Sequence, residues 1–271
     1  MIQAPTPALF IGHGSPMNAI EANRFTRAWA ACFAALPRPQ AILCVSAHWE
    51  TDGAKVTAME RPRTIHDFRG FPAELVAIDY PAPGSPVLAE RLQQLVPEIA
   101  LDHTWGLDHG AWSVLRPMRP AADLPVVQLS LDRRRSPREH LELARRLRPL
   151  RQEGVLVLGS GNLVHNLGRI LWGEGAHGWA EAFDQLLAER ISSGPLEDLL
   201  DPLALGPDAA LALPSLEHYL PLLYVLGVRD PCEPMGFFNA EVTLGAISMR
   251  SLQLGAGDGQ ARSVTDCCGP G

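Results

Sequence analysis

Leu9–Pro16 reads LFIGHGSP, an apolar run that ends in a glycine, a histidine and a second glycine. A short apolar run bounded by glycine has the pattern of a buried strand running into a tight turn. A histidine held in that turn projects from the strand's end. In open α/β sheets that end is where ligands bind. Whether the chain is built this way depends on the pattern of its other segments.

Further runs of the same kind occur along the chain, with helical stretches between them. Ala41–Trp49 (AILCVSAHW), Pro125–Leu131 (PVVQLSL) and Val155–Leu158, which runs straight into GSGN, read as strands. Lys55–Met59 reads as a strand beside Ala41–Trp49, and Glu241–Leu254 as one or two late strands. A helix over Asn23–Leu36 is stopped by Pro37 and Pro39. Ser85-Pro86 opens another, with serine as N-cap and proline in the first turn. Ser136–Glu139 (SPRE) is a capping box whose helix ends at Gly154, and Trp179–Ile191 is an amphipathic helix. The alternation predicts a single-domain α/β sandwich over residues 1–254, with a mixed, largely parallel central sheet flanked by helices. Residues 255–271 (GAGDGQARSVTDCCGPG) read as a mobile tail.

The 271 residues are 46% hydrophobic and 20% charged, which excludes disorder along the whole chain. A formal net charge of −7 argues against a surface for nucleic acid, which needs a basic excess. No apolar run is long enough to span a bilayer, and MIQAPTPALF lacks the charged and apolar regions of a signal peptide. A cytoplasmic location and no membrane partner are therefore expected. Five cysteines, with no CxxC and two adjacent in the polar tail, give neither a disulfide framework nor a thiolate zinc site. Any metal would be held by imidazole and carboxylate.

The histidines are placed unevenly. His13, His48 (SAHWE) and His165 (GSGNLVHNL) fall at or just beyond the carboxyl ends of predicted strands. In a parallel sheet those ends share one edge, so the three imidazoles can converge. Such a donor set suits Fe, Zn or Mn. His109 lies in GLDHGAW, read as a glycine-bounded loop, and His218 on or beside the buried helical segment of LEHYLPLLYVLG. His140, among the charges of SPREHLELARRLR, is expected on a solvated face, and His177 in a turn. His66 reads as a packing residue in TIHDFRGFP, whose Asp67, Phe68, Arg69 and Phe71 suit the lining of a pocket. Ser15 and Ser160 stand beside glycines without forming the G-x-S-x-G elbow of a serine hydrolase.

Taken in order, LFIGHGSPMNAI, SAHWE, HDFRGFP, DYPAPG, GLDHGAW, PVVQLS, GSGNLVHNL and EHYLPLLYVLG resemble the DODA-type (DOPA 4,5-dioxygenase-like) branch of the class III extradiol ring-cleavage dioxygenases, the LigB superfamily. The resemblance runs from about Ala8 to Leu254. It implies one α/β domain and a mononuclear non-haem metal: Fe(II) for catalysis, with Zn(II) able to occupy the site. It implies that His13 and His48 are metal ligands, and that the third falls on His218, with the neighbouring Glu217 as the alternative. It matches His165 to the acid–base histidine, which can also reach the metal, and His109 to the second active-site histidine. The implied substrates are O₂ and a DOPA-like or otherwise substituted catechol. In this reading the glycines around His13 let the backbone bend and leave room for substrate.

The residue types suit that chemistry. Three protein ligands leave positions for both catechol oxygens and for O₂. A nearby imidazole, with an ordinary pKa of about 6.5, can take a proton and later return it. Two other classes share the same histidines: a zinc hydrolase that activates water, and a metal-binding relative without turnover.

Overall fold

The computed structural model describes residues 4–173 and 175–255. The tail expected to be mobile lies, beyond Gly255, outside the described residues. The strands are β1 (Ala8–Gly12), β2 (Ala41–Thr51), β3 (Lys55–Thr57), β4 (Arg63–Thr64), β5 (Ala100–Asp102), β6 (Gly106–Leu107), β7 (Val126–Asp132), β8 (Val155–Gly161), β9 (Met235–Phe238), β10 (Val242–Thr243), β11 (Ile247–Ser248) and β12 (Ser251–Leu254). The α-helices are α1 (Arg24–Ala34), α2 (Ala73–Val76), α3 (Pro86–Leu95), α4 (His109–Met118), α5 (Pro137–Arg146), α6 (Pro149–Gln152), α7 (Gly178–Ser193), α8 (Ala209–Ala212) and α9 (Leu220–Gly227).

Eight strands form one sheet in the order β5-β3-β7-β2-β8-β1-β12-β9. The central four, β7, β2, β8 and β1, run parallel. The flanks turn back: β3 is antiparallel to β7, and β12 to β1. This is the mixed, largely parallel sheet expected. It brings the carboxyl ends of β1, β2 and β8 to one edge.

Both faces of the sheet are covered, which is why its strands read as continuous apolar runs instead of alternating ones. Phe10, Leu43, Val45, Val127 and Val157 face a core closed by α3, α5, α7 and α9. Their neighbours Leu9, Ile11, Ile42, Leu156 and Leu158 face a second core against α1 and α4, with Trp29 and Trp112 fully buried in it. Each such side chain contributes about 1.5–3 kcal/mol by leaving water. The helix starts have the expected chemistry. Ser136 and Glu139 cap α5 reciprocally, and Asn23 caps α1 in the same way with Thr26. Among the described residues no helix is long and apolar enough to cross a membrane.

Four expectations are corrected. Strand β3 does not lie beside β2, because β7 and β8 already occupy both sides of β2; it pairs outside β7, Val56 against Leu129. The helix opened by SPRE stops at Arg146, well before Gly154, since Pro149 cannot continue it and starts α6 instead. His109 is not in a loop: it is the first residue of α4, a helix whose cap is the side chain of Asp108. His140 is fully buried, with Nδ1 2.9 Å from the Tyr224 hydroxyl. Leu143, Ala144 and Leu147, three, four and seven residues on, are buried with it, so His140 belongs to the apolar stripe of its helix.

Candidate metal and catalytic site

His13 leaves the end of β1 with its backbone pinned on both sides. Its N–H donates to the Gly161 carbonyl at 3.0 Å, and its own carbonyl accepts from Asn18 at 2.9 Å. The glycines around it let the backbone bend, as expected, and make room for the chain itself. A Cβ on Gly12 would lie 2.6 Å from the Met249 backbone, and Gly14 adopts φ +61° against the Met249 side chain. His48 stands where the register between β2 and β7 breaks, between Val45 and Glu50. His218 arrives from the turn before α9, and its carbonyl accepts the Asn162 N–H at 2.8 Å. A side chain on Gly161 would strike that carbonyl, so the glycine of GSGN sets how closely this turn approaches β8.

One potential ligand atom from each of His13, His48 and His218 lies within 4.8 Å of the other two. Glu217 belongs to a different group, with His165 and His218, and Asp67 to a third, with His48 and His109. None of these groups among the described residues includes a cysteine. His165 lies flat on His218, ring centroids 3.4 Å apart and planes 9° from parallel. Its backbone is held by the Ala212 carbonyl and by a bridge to Ile247. His109 lies over His48 at 3.9 Å between centroids. All five imidazoles named from the sequence therefore form one cluster, to which β1, β2, α4, the chain beyond β8 and the turn before α9 each contribute.

The hydrogen bonds of the cluster choose which nitrogens face inward. Ser160 donates its hydroxyl proton to the Gly110 carbonyl at 2.6 Å, so towards His13 Nδ1, 3.0 Å away, it acts as acceptor. That fixes the proton of His13 on Nδ1 and leaves Nε2 bare. Glu217 accepts from His218 Nδ1 at 2.9 Å, and the buried Nε2 of His218 has no hydrogen-bond partner. The Nε2 atoms of His13 and His48 lie 3.4 Å apart. Two imidazoles bound at about 2.1 Å on one tetrahedral ion have nitrogens about 3.4 Å apart. The donor set therefore fits a metal ion. Burial, helped by neighbouring imidazoles, holds four of the pKa values down: His13 and His218 far below the usual range, His48 at about 3 and His165 at about 4. Neutral imidazole is the form that ligates.

Asp67 was legible only as part of a pocket-lining loop. Its Oδ1 accepts the backbone N–H of His109 at 3.0 Å and lies 2.9 Å from the ring Nδ1. Partial burial alone would raise the Asp67 pKa; the contacts with His109 outweigh it and bring the carboxyl below its usual value. Phe68 meets the His109 ring edge-on at 5.5 Å, with Phe71 behind it. His66 is a packing residue, as expected: its Nε2 is 3.0 Å from the Ile78 carbonyl, and its ring leans on Trp112.

An α/β sheet with five imidazoles converging at the carboxyl ends of its parallel strands defines a metal-dependent enzyme class whose site is built on histidine. Residues 6–242 match the family model described as the catalytic LigB subunit of aromatic ring-opening dioxygenase, and the chain belongs to that family. The chain is 49% identical over 258 residues to a 4,5-DOPA dioxygenase extradiol of Escherichia coli (strain K12), covering 92% of this chain and 94% of that protein. It is 41% identical to a 4,5-DOPA dioxygenase extradiol of Beta vulgaris, over 80% of this chain and 85% of the relative. A solved structure, an uncharacterised protein of Escherichia coli K12, superposes with a TM-score of 0.81 at 44% identity, covering 92% of this chain and all of that one. The chain is an oxygenase of the extradiol, DODA type, and these relatives do not favour the hydrolase.

Proposed function

We propose that the protein opens a DOPA-like catechol with O₂ in the cytoplasm, using Fe(II) held by His13, His48 and His218, with His165 and His109 handling protons. The observation that carries this reading is the convergence of three imidazoles, one with a buried Nε2 that no protein atom matches. When bound, a ferrous ion would supply a Lewis-acidic seat for the catechol oxygens and redox access to O₂. Zn(II) fits the same donors but has no accessible redox change. Asp67 accepts the backbone N–H of His109 and sits beside its Nδ1, which leaves Nε2 for a substrate hydroxyl. His165, stacked on His218, accepts a proton and later returns it. Phe68 and Phe71 give the aromatic ring an apolar wall beside His109.

The test is anaerobic reconstitution with Fe(II), followed by an oxygen electrode and a panel of substituted catechols. Oxygen uptake with a yellow ring-fission product is expected with iron and not with zinc. Anaerobic hydrolysis by the zinc form would overturn the reading in favour of a hydrolase, and metal binding without oxygen uptake on any catechol would favour a silent relative. His218→Ala should lose metal affinity by more than the roughly 10–100-fold typical of outer-shell changes. Full metal content in that variant would move the third ligand to Glu217.

A further inference from the structure

Ser160 belongs to a motif that no nucleophile reading absorbs, and it has a counterpart. Ser46 in β2 and Ser160 in β8 are direct register partners on adjacent parallel strands, and both are fully buried. Each hydroxyl does the same two things. Ser46 accepts the backbone N–H of His48 at 3.2 Å and donates to Asp108 Oδ1 at 2.7 Å. Ser160 accepts from His13 Nδ1 at 3.0 Å and donates to the Gly110 carbonyl at 2.6 Å. Asp108 and Gly110 flank His109 at the start of α4, and Asp108 also caps that helix by accepting from the Ala111 N–H at 3.1 Å. On one side of the pair stand the two histidines read as metal ligands. On the other stands the helix turn that carries a proton-handling histidine.

We propose that Ser46 and Ser160 are paired positioning residues that lock the spacing between His13 and His48 on the sheet and His109 on α4. The inference rests on reading His13 and His48 as metal ligands. A hydroxyl suits the task because it donates once and accepts at the same atom, so one small buried side chain ties two elements together. The two serines differ in what they hold. Ser160 grips an imidazole and so fixes which nitrogen of His13 is bare. Ser46 grips the backbone of His48 and leaves its ring alone. Loss of Ser160 therefore acts on metal affinity and geometry together, whereas loss of Ser46 acts on geometry.

The metal-free protein supplies a test that needs no catechol. In its ¹⁵N-histidine spectrum, His13, assigned by comparison with His13→Gln, should be the Nδ1–H tautomer; an Nε2–H tautomer overturns the proposal even if no variant folds. Zinc(II) affinity by chelator competition should fall about 10–100-fold in Ser160→Ala, the range for a lost ligand-orienting partner. It should stay within about threefold of the parent in Ser46→Ala. A Ser160→Ala protein that binds zinc like the parent overturns the role of Ser160. In the iron-loaded enzyme, Ser46→Ala should lower kcat about tenfold while KM is unchanged, as for a group that shapes only the reacting geometry. A kcat equal to the parent's overturns the role of Ser46. Absence of turnover by the parent on every catechol would instead sink the dioxygenase reading, with the zinc and ¹⁵N results still deciding Ser160.

Discussion

At the amino ends of β1 and β8, Arg151 is buried against Glu233. Its Nε donates to the Thr6 carbonyl at 2.7 Å, one terminal nitrogen donates to Val228 and to Glu233, and the other donates to the second Glu233 oxygen. At the carboxyl ends of the same strands, the imidazole cluster has the opposite outcome. His218 Nε2 has no partner, and the Nε2 atoms of His13 and His48 meet only each other. An unmatched buried polar group costs about 1–3 kcal/mol. The Arg151–Glu233 pair removes that cost by mutual pairing, and the imidazole cluster tolerates it. The Arg151–Glu233 pair is saturated and serves the fold; the imidazole cluster is left unsaturated where the chemistry is done.

The largest effect expected at the unsaturated end is on rate. His165→Gln should lower turnover by about 10²–10⁴-fold, the usual value of an acid–base side chain, with iron content and urea midpoint near those of the parent. An unchanged rate at full iron occupancy would remove His165 from the mechanism and leave His109. At the saturated end the largest effect is on stability. Arg151→Met strands Glu233 without its partner and should cost about 3–5 kcal/mol in urea unfolding, with zinc bound per folded molecule unchanged. Replacing both partners, Arg151→Met with Glu233→Leu, should recover most of the loss. If Arg151→Met instead impaired zinc binding in the folded protein, the two ends would be coupled and the contrast between them broken.

Legibility in the sequence divides along the same line. Strands covered on both faces announce themselves as apolar runs, so β1, β2, β7 and β8 were readable, and with them His13 just beyond β1 and His48, although β2 runs past His48 to Thr51. Helix starts with side-chain caps, such as Ser136, were equally plain. Helix α4 was hidden because Gly110 comes directly after its first residue and Pro117 stands near its end, although Asp108 is a regular N-cap. His140 was misplaced because the charges around it mask its spacing to Leu143 and Leu147. The orienting roles of Ser46, Ser160 and Asp108 left no sequence signal. Each acts across 50 or more residues through one hydroxyl or carboxylate, and only the register of the strands brings them together.

Asp67 tests the boundary of the cluster at lower cost to the enzyme. As the holder of His109, its replacement in Asp67→Asn should reduce kcat about tenfold with KM and zinc affinity close to the parent values. It also falls within ligand range of His48 and His109. A variant that lost zinc would place Asp67 among the metal's ligands, and the unsaturated region would be larger than the three histidines.

The smallest effect expected belongs to the buried histidine that the site does not use. Burial, reinforced by the nearby Arg135 charge, lowers the His140 pKa to about 4, while the unfolded chain titrates near 6.5. With the folded value depressed, the unfolded state takes up the proton first as pH falls. The contribution of neutral His140 to stability is therefore whole above about pH 6.5 and declines towards pH 4. Linkage puts the decline at about 1 kcal/mol between about pH 6.5 and about pH 5.5. His140→Gln keeps a polar partner for Tyr224 but has no proton to gain. Urea midpoints of the metal-free parent and variant, measured across this range, should show the parent losing ground to the variant as pH drops, since the site histidines are common to both and cancel. A constant difference across the range would mean that His140 titrates alike in the folded and unfolded chain, and that its burial on the stripe of α5 does not hold it neutral.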